Sequence, residues 1–174
     1  MDIRDAAARA LATRNRSKKE LKDYLLKKGV SCDDTDEVIL AFEEAGYLSD
    51  SEYAQQFFRY GFRKGWGKSR IFRELSKRGV DSSLIDDAYD EHIESCMEEN
   101  SPGDFFGYTE TEYREYDRAL AVAEKMCAGE HFDGGKVSEK FKARVARRLS
   151  SYGYESSVIY RVINNLDRTE NFDD

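Results

Sequence analysis

One ten-residue segment recurs three times in this chain and constrains its fold more than any other feature. In each copy, apolar residues four positions apart lead to a helix end, then a glycine, then another apolar residue. The copies are Leu21–Val30, Ile71–Val80 and a looser one, Val145–Tyr154. Apolar side chains at this spacing share one helix face, and a glycine after the last turn often ends a helix. Three copies predict a row of small helical modules, an architecture that usually presents an extended surface to a large partner.

Helix start signals extend each copy into a repeat of three helices. Ser17 and Glu20 have the spacing of a capping box, in which a hydroxyl and a carboxylate satisfy end amides, and Ser49 and Glu52 repeat it at the start of the second repeat. The single proline, Pro102, leaves nearly all of the chain free to be helical, and apolar–polar alternation typical of strands is hard to find. In the first repeat the helices are predicted over residues 6–13, 17–28 and 37–44. We predict an all-α fold of three tandem three-helix repeats that resemble helix-turn-helix units.

The predicted repeats occupy residues 1–48, 49–97 and 112–174, and a linker covers residues 98–111. Charged residues make up 36% of the chain, which implies much surface for each core residue and favours an elongated shape. The linker combines proline, glycine and acidic residues, as exposed loops do. It also carries three aromatic residues that either fold back on a neighbouring helix or contact a partner: Phe105, Phe106 and Tyr108.

The net charge of −7 comes from one acidic stretch. Residues 81–117 contain 13 acidic residues and 1 basic residue, whereas the sequence on either side is neutral to basic. The net charge opposes approach to DNA, but a basic face can still bind a polyanion locally.

Basic residues cluster on or beside the second helix of every repeat, within residues 14–28, 59–78 and 138–150. A single cluster of this kind is usually a solvated helix face. Stacked repeats would align all three along one side, which favours a site for a polyanion or an acidic protein. The candidate partner-binding or nucleic-acid-binding residues are Arg14, Arg16, Lys18, Arg63, Lys64, Lys68, Arg70, Arg73, Arg144 and Arg147.

Aromatic residues lie among these cations and would stack on bases in a nucleic-acid site. They are Tyr24, Tyr60, Phe62, Phe72 and Tyr152. Tyr24 and Phe72 share helical spacing with leucines, which favours core packing for those two rings.

Motifs for catalysis and for metal binding are missing. The segment Gly61–Ser69 ends in Gly-Lys-Ser, but a phosphate-binding P-loop needs a glycine where this chain has Phe62, and it needs a preceding strand. His92 and His131 have no partner at ligand spacing, and the three cysteines form no CxxC pair. Those cysteines are Cys32, Cys96 and Cys127. We therefore predict a protein that is not an enzyme, with no catalytic residues, cofactor, metal site or disulfide framework.

Nothing in the sequence predicts a membrane protein. A run of about 18 apolar residues is absent, and the first residues lack the apolar stretch of a signal peptide. Together with the dispersed and odd-numbered cysteines, this indicates a reducing cytoplasm.

Three stretches, in their order and spacing, resemble the RecX family of bacterial regulators of the RecA recombinase. They are Arg14–Gly29, Gly46–Ala54 and Arg63–Val80, the last of which contains the run Lys-Gly-Trp-Gly-Lys. The resemblance covers residues 1–92, whereas the third repeat matches only as a generic repeat.

The resemblance implies a curved molecule of three tandem modules without catalytic residues. Family members bind RecA in the groove of its filament on single-stranded DNA and limit filament growth, ATP hydrolysis and strand exchange. The chain would accordingly regulate DNA repair, recombination and the SOS response. Some members also bind DNA directly. The acidic segment over residues 94–117 is longer than the family pattern implies, and it opposes DNA binding more than recombinase binding.

The sequence leads to one principal hypothesis and two alternatives. The principal hypothesis is a monomeric inhibitor of RecA that occupies its filament through the ten basic residues. The first alternative is a free-standing helical DNA-binding protein, such as a transcription factor, which would bind duplex DNA without RecA. The second is a general protein scaffold. Single-stranded or duplex DNA stays open as a direct partner.

Overall fold

The computed structural model of this chain describes residues 2–98, 110–128 and 137–166, and all regular structure within these ranges is helical. The predicted all-α fold is therefore confirmed for these residues. None of the described helices combines the length and the hydropathy that a bilayer crossing requires. The helices are α1 (Ile3–Thr13), α2 (Lys18–Lys27), α3 (Cys32–Glu44), α4 (Asp50–Arg63), α5 (Lys68–Lys77), α6 (Ser82–Glu98), α7 (Glu110–Cys127), α8 (Glu139–Ser151) and α9 (Ser156–Leu166).

Several sequence predictions fall outside the described residues. They concern most of the linker over residues 98–111, with its three aromatic residues, and His131.

Two helices of the first repeat begin earlier than the apolar pattern predicts. α1 begins early because the Asp2 carboxylate accepts a hydrogen bond from the Arg4 amide at 2.9 Å. α3 begins early because the Ser31 hydroxyl oxygen accepts one from the Asp34 amide at 3.2 Å. A short polar cap starts a helix before its first buried apolar side chain.

The chain divides into two compact units. Unit 1 comprises Met1–Arg59 and Arg73–Ser95, and unit 2 comprises Tyr60–Phe72 and Cys96–Asp174. The division passes through α4 and α5. The turn between these two helices therefore belongs to unit 2, while most of the remaining second repeat belongs to unit 1.

Three helices, α2, α5 and α8, end in the same way, so the recurring sequence segment is one recurring structural element. Each is followed by one further residue and then by a glycine with positive φ: Gly29 at 84°, Gly79 at 77° and Gly153 at 84°. The amide after each glycine donates to a carbonyl five residues earlier at 3.2 Å. This Schellman geometry needs the left-handed conformation that glycine adopts without steric cost. We name these elements the glycine turns, and they consist of Lys28–Gly29, Arg78–Gly79 and Tyr152–Gly153.

Unit 1 contains the three helices of the first repeat, which pack against one another. Leu21 and Leu25 lie on one face of α2 and are fully buried. Burial of one leucine side chain contributes about 1.5–3 kcal/mol, so this face fixes α2 in the core. The two leucines cluster with Ala6, Ala7, Ala10, Val38 and Leu48.

Unit 2 contains the last three helices, which also pack together. Val145 and Leu149 hold the positions in α8 that Leu21 and Leu25 hold in α2, and both are fully buried. The repeated apolar spacing therefore marks the same buried face in both units. The two residues cluster with Ala119, Ala123, Phe141, Tyr154, Val158, Val162 and Leu166.

Candidate functional site

The N-terminus of α2 in unit 1 is covered by the glycine turn that follows α5. The Ser17 hydroxyl is fully buried and donates a hydrogen bond to the Arg78 carbonyl oxygen at 2.6 Å. Its oxygen also accepts from the Glu20 amide at 3.1 Å, and the Glu20 carboxylate accepts from the Ser17 amide at 3.3 Å. The predicted capping box is therefore confirmed. The contact is tight, because a Cβ atom on Gly79 would lie 2.8 Å from the Cβ atom of Lys19.

A carboxylate from α4 completes this cap. Asp50 is 7% exposed, and its Oδ1 atom accepts a hydrogen bond from the Lys18 amide at 2.8 Å. That amide belongs to the first turn of α2, where backbone N–H groups have no partner inside the helix. Burial raises the pKa of Asp50, while the hydrogen bond and the charge of Lys18 act in the opposite direction.

Charged side chains surround the same contact. The Arg78 guanidinium lies 2.9 Å from a Glu74 carboxylate oxygen and 3.8 Å from Glu20. Burial acts to raise the pKa of Glu20, but hydrogen bonds from Arg14 and from the Ser17 amide outweigh it, so this pKa is lowered. The glycine turn thus brings a cation onto the carboxylate of the capping box.

Unit 2 repeats this construction at the N-terminus of α5. The Gly67 amide donates to the Tyr152 carbonyl oxygen at 2.8 Å, so the glycine turn after α8 covers the start of α5. Glu115, from α7, is 9% exposed and accepts a hydrogen bond from the Lys68 amide at 3.4 Å. A Cβ atom on Gly67 would lie 2.5 Å from the Gly153 carbonyl oxygen. Only glycine permits this approach of two backbones.

Two more hydrogen bonds close the contact in unit 2. The Tyr154 hydroxyl donates to the Gly65 carbonyl oxygen at 2.9 Å, and Arg70 donates to the Ser151 carbonyl oxygen at 3.2 Å. Burial raises the pKa of both Tyr154 and Glu115. Both units therefore use one arrangement, in which a buried carboxylate and a glycine turn from the following repeat cover the start of a second helix. We name this arrangement the inter-repeat junction.

Cations and aromatic rings form a continuous row in unit 2 across the Gly-Trp-Gly turn. Arg70 lies over the Trp66 ring at 4.2 Å and over the Tyr152 ring at 5.5 Å. Arg148 lies over Tyr152 at 4.4 Å and donates to its hydroxyl oxygen at 2.6 Å. Tyr60 meets Trp66 edge-on at 5.6 Å, so Trp66 packs across the turn. The whole row, named here the cation–aromatic ladder, runs through Lys64, Tyr60, Trp66, Arg70, Tyr152 and Arg148.

Most of the ten candidate cations are engaged by side chains of this protein. Arg14 pairs with Glu20 at 3.1 Å, and Lys18 pairs with Glu43. Ion pairs and cation–ring contacts at exposed positions each contribute on the order of 0.5–1 kcal/mol to stability, and they hold the cationic group of the side chain in place. Five others lie over aromatic rings at 4.2–5.7 Å: Arg16 over Tyr24, Lys64 over Tyr60, Lys68 over Phe72, Arg70 over Trp66 and Arg144 over Phe141.

Three of the ten candidates are free of such contacts. Arg63, Arg73 and Arg147 are exposed and make no ion pair, side-chain hydrogen bond or ring contact within the described parts of the chain. Their guanidinium groups are the most available to an outside carboxylate or phosphate. The ten candidates divide between the units, with Arg14, Arg16, Lys18 and Arg73 in unit 1 and Arg63, Lys64, Lys68, Arg70, Arg144 and Arg147 in unit 2.

The five aromatic rings among the basic clusters, of which Tyr24 and Phe72 are expected in the core and the other three are candidates for stacking on bases, all lie under cations of this chain. Phe62 lies under Arg118 at 4.1 Å, and Tyr152 has two arginines over it. Tyr24, Tyr60 and Phe72 lie under the cations given above. A ring face covered by a cation is less open to a nucleotide base. The structure thus favours a role for these rings in holding cations over a role in stacking on bases.

The remaining motifs have structural roles. Gly61 lies inside α4, where a Cβ atom would lie 2.7 Å from the Ile71 side chain, and the segment Gly61–Ser69 comprises the end of α4, a turn and the start of α5. His92 is half-buried in a shallow cleft of about 150 Å³ beside Gln55 and Glu91. Among the described residues, no group of three or more His, Cys, Asp or Glu side chains is arranged to hold a metal ion.

Sequence reasoning missed the two junction carboxylates. Asp50 stands among the polar residues of a helix start, and Glu115 stands in the acidic stretch, so both have the sequence context of solvated residues. Residue type and spacing do not distinguish a buried acid from an exposed one, and no other signal in the sequence singles them out.

Comparison with known protein families matches the first two repeats. Residues 4–40 match the family model for the first three-helix domain of RecX, and residues 49–88 match the one for the second three-helix domain of RecX. The matched ranges include the starts of α2 and α5 and the junction residues Asp50 and Lys68, whereas Glu115 lies outside them.

Curated relatives include several regulatory proteins RecX. The one from Halorhodospira halophila is 35% identical over 89 residues, which cover 51% of this chain and 55% of that protein. The one from Vibrio vulnificus is 33% identical over 98 residues, covering 56% and 64%. The one from Mycolicibacterium smegmatis is 28% identical over 163 residues, covering 92% and 77%. The chain thus spans little more than half the length of the first of these relatives.

Two solved structures match this chain over a longer range than the family models do. The crystal structure of RecX from Lactobacillus salivarius has a TM-score of 0.68 at 21% identity and covers 95% of both chains. A second crystal structure of regulatory protein RecX has a TM-score of 0.66 at 18% identity, covering 94% of this chain and 72% of that one. At these identities the likeness establishes the fold alone. Both three-helix domains match in the order that the repeats have along the sequence, and these matches support membership of this chain in the RecX family.

Proposed function

We propose that this chain regulates the RecA recombinase by binding the RecA filament on single-stranded DNA. Binding limits ATP hydrolysis, filament growth and strand exchange, and the chain acts as a cytoplasmic monomer without chemistry of its own. The observation that supports this proposal is the match of the first two repeats to the two RecX domains. The proposed domain organisation remains that of the sequence, with repeats over residues 1–48, 49–97 and 112–174 and a linker over residues 98–111.

The three free arginines make the first contacts in this proposal. Arg63, Arg73 and Arg147 all lie on or beside second helices, and all are exposed without an internal partner in the described chain. A guanidinium presents a planar fork of donors that fits a carboxylate or a phosphate with two hydrogen bonds. Five of the other candidate cations are held over aromatic rings and keep their positive charge in place within their own unit, whereas Arg14 and Lys18 are paired with carboxylates.

The inter-repeat junctions supply the rigidity that such binding needs. In each unit, the start of a second helix is fixed by a buried carboxylate and by a hydrogen bond that it donates to a backbone carbonyl of the covering glycine turn. A surface that is rigid before binding loses less conformational entropy on binding. The chain would then limit filament growth by occupying the groove of the RecA filament, without a conformational change of its own.

The test is RecA-dependent ATP hydrolysis on single-stranded DNA at increasing concentrations of this protein. We expect wild-type protein to slow hydrolysis, and we expect a triple variant, Arg63→Glu, Arg73→Glu and Arg147→Glu, to need at least about ten-fold more protein for half-inhibition. One charge-assisted hydrogen bond is worth about 1.5–3 kcal/mol, so the loss of one good contact suffices for that factor.

A matched triple variant controls for net charge. Arg4, Lys125 and Lys140 are exposed, make no ion pair within the described residues, and are not among the ten candidates. Their replacement by glutamate changes the net charge by the same amount and should leave inhibition unchanged. Wild-type protein without effect at several-fold molar excess over RecA would refute the proposed function. Equal loss in both triple variants would refute the specific role of the three free arginines.

Direct binding of DNA is the second candidate function, and the same three free arginines favour it. If all three reach phosphates of single-stranded DNA, the logarithm of the association constant should fall with the logarithm of salt concentration with a slope of about −2. Binding measured without RecA separates the two candidates. A free-standing DNA-binding protein binds under these conditions, whereas a filament regulator acts only when RecA is present.

A further inference from the structure

The glycine turn of the first repeat is an uncovered copy of an element that closes both junctions. In unit 1 the Arg78 carbonyl oxygen accepts from Ser17, and in unit 2 the Tyr152 carbonyl oxygen accepts from Gly67. The turn Lys28–Gly29 has the same backbone geometry. The Lys28 carbonyl oxygen, however, accepts no hydrogen bond within the described chain.

The space above this turn is open. Gly29 is exposed, and a Cβ atom placed there would have no heavy atom within 4 Å. At the two covered turns, the corresponding Cβ atoms would lie 2.8 Å from Lys19 Cβ and 2.6 Å from Arg70 Cβ. Within the described parts of the chain, therefore, no helix covers the first turn as helices cover the other two.

The junction in unit 1 shows what chemistry such a turn accepts. The covering helix supplies a hydroxyl from Ser17 to the carbonyl oxygen, and it supplies the Glu20 carboxylate to the cation of Arg78. Lys28 holds the position of Arg78, directly before the glycine, and it also lies over a ring of its own helix, that of Tyr24. The helix dipoles agree with this pairing, because the negative C-terminal end of one helix meets the positive N-terminal end of another.

We propose that the Lys28–Gly29 turn docks the N-terminus of a helix in a partner protein, and that this helix begins with a capping box of Ser or Thr followed three residues later by Glu. The partner's hydroxyl donates to the Lys28 carbonyl oxygen, and its glutamate pairs with the Lys28 ammonium group. The inference deepens the proposed function and rests on it for the claim that the docked protein is the one being regulated.

A second copy of this chain fits the turn less well. The corresponding second helix of the third repeat, α8, has Ser138 as its cap, but the residue three positions later is Phe141, which is buried and carries no carboxylate. The start of α4 has a hydroxyl at Ser49 and an acid at Glu52, but the adjacent Asp50 is already buried against the Lys18 amide. A partner protein is therefore the occupant that the chemistry favours.

The docking test uses a synthetic peptide with the sequence of residues 14–26, held helical by a side-chain lactam, and isotope-labelled full-length protein. We expect the peptide to shift the backbone NMR signals of residues 28–30 with a dissociation constant of about 1 mM, as a few polar contacts allow. A peptide with Ser17→Ala and Glu20→Ala should bind at least about ten-fold more weakly.

Two glycine variants provide a matched pair. Asparagine tolerates the left-handed conformation, so Gly29→Asn should keep the fold while its side chain blocks the docked helix. Gly46 also has positive φ, at 74°, and a Cβ atom placed on it would have no heavy atom within 4 Å, so Gly46→Asn carries the same backbone cost away from the turn. We expect Gly29→Asn to weaken peptide binding at least about ten-fold, whereas Gly46→Asn should bind as wild type does.

Several outcomes would overturn the inference. Absence of shifts at residues 28–30, equal binding of the two peptides, or equal effects of the two glycine variants would each refute it. A concentration-dependent dimer in sedimentation that Gly29→Asn abolishes would make a second copy the occupant and would refute the assignment to a partner protein. If RecA is the partner, Gly29→Asn should inhibit its ATP hydrolysis less than Gly46→Asn does. A wild-type protein that binds the peptide but leaves RecA unaffected would refute the proposed function and support the docking turn.

Discussion

Replacement of Asp50 by alanine should destabilise unit 1 more than replacement of Glu115 by alanine destabilises unit 2. Both carboxylates are buried, and both accept a hydrogen bond from the first amide of a second helix. The two bonds differ in length, at 2.8 Å for Asp50 and 3.4 Å for Glu115, and the longer one is near the limit of a hydrogen bond.

The expected losses of stability follow from the Lys18 and Lys68 amides, which each lose a hydrogen-bond acceptor. Loss of a helix cap costs about 0.5–2 kcal/mol, and a buried amide without an acceptor costs about 1–3 kcal/mol. Relief of the burial of a charged carboxylate offsets part of this cost. We therefore expect a loss of about 1.5–2 kcal/mol in the free energy of unfolding for Asp50→Ala and of about 0.5–1 kcal/mol for Glu115→Ala.

An isosteric variant separates the hydrogen bond from the charge. Asp50→Asn keeps an oxygen that accepts from the Lys18 amide and removes the buried charge, so its stability near pH 7 should lie within about 0.5 kcal/mol of wild type. Burial raises the pKa of Asp50 in the folded state, so the folded protein binds this proton more tightly than the unfolded chain does. The stabilising contribution is complete below the ordinary pKa of 3.8 and is lost as the pH rises through the raised folded value. The stability of wild type relative to Asp50→Asn should therefore fall over that pH range.

Urea denaturation of the four proteins measures the global effect, and hydrogen exchange of the Lys18 and Lys68 amides measures the local one. We expect faster exchange at Lys18 in Asp50→Ala but not in Asp50→Asn. The reasoning would be refuted if Glu115→Ala cost as much as Asp50→Ala, or if the asparagine variant were as unstable as the alanine variant.

Three further predictions test the turns, the ladder and the cap. Gly153→Ala should lower the free energy of unfolding by several kcal/mol, because its Cβ atom would lie 2.6 Å from Arg70 Cβ. Gly46→Ala has the same sign of φ but open space around its Cβ atom, so it should cost about 1 kcal/mol. Equal losses of stability in thermal denaturation would contradict this prediction. Arg70→Ala should shift the emission of the single tryptophan to longer wavelength, because it exposes the ring that the guanidinium covers at 4.2 Å; the exposed Arg9→Ala serves as control and should leave the emission unchanged. In chemical denaturation, Ser17→Ala should lower the free energy of unfolding by about 2 kcal/mol and Ser31→Ala by about 1 kcal/mol. The Ser17 hydroxyl caps its helix and also bonds the Arg78 carbonyl oxygen, whereas the Ser31 hydroxyl only caps its own helix. A larger loss for Ser31→Ala would contradict this role of Ser17.

Much of the secondary structure is predictable from the sequence because its signals are local. The capping box of Ser17 and Glu20 satisfies amides within one turn, and a glycine such as Gly79 ends a helix through its own backbone freedom. The caps at Asp2 and Ser31 are also local, but they precede the apolar pattern, so helix starts predicted from that pattern are late. The order of the three-helix repeats is likewise visible, because each repeat carries the same local signals.

Local signals along the chain specify where the second helices begin and end and which of their faces is buried. What covers each helix end follows from the tertiary structure alone, because the partner of a polar group is set by packing between residues far apart in sequence. Asp50 reaches the Lys18 amide across 32 positions, and Glu115 reaches the Lys68 amide across 47. Packing also determines which basic side chains are held on rings and which, such as Arg63, make no such contact within the described residues. A helix cap and an apolar face can be recognised from the spacing of residues along the chain, whereas the spacing of a charged residue does not reveal which group it will pair with.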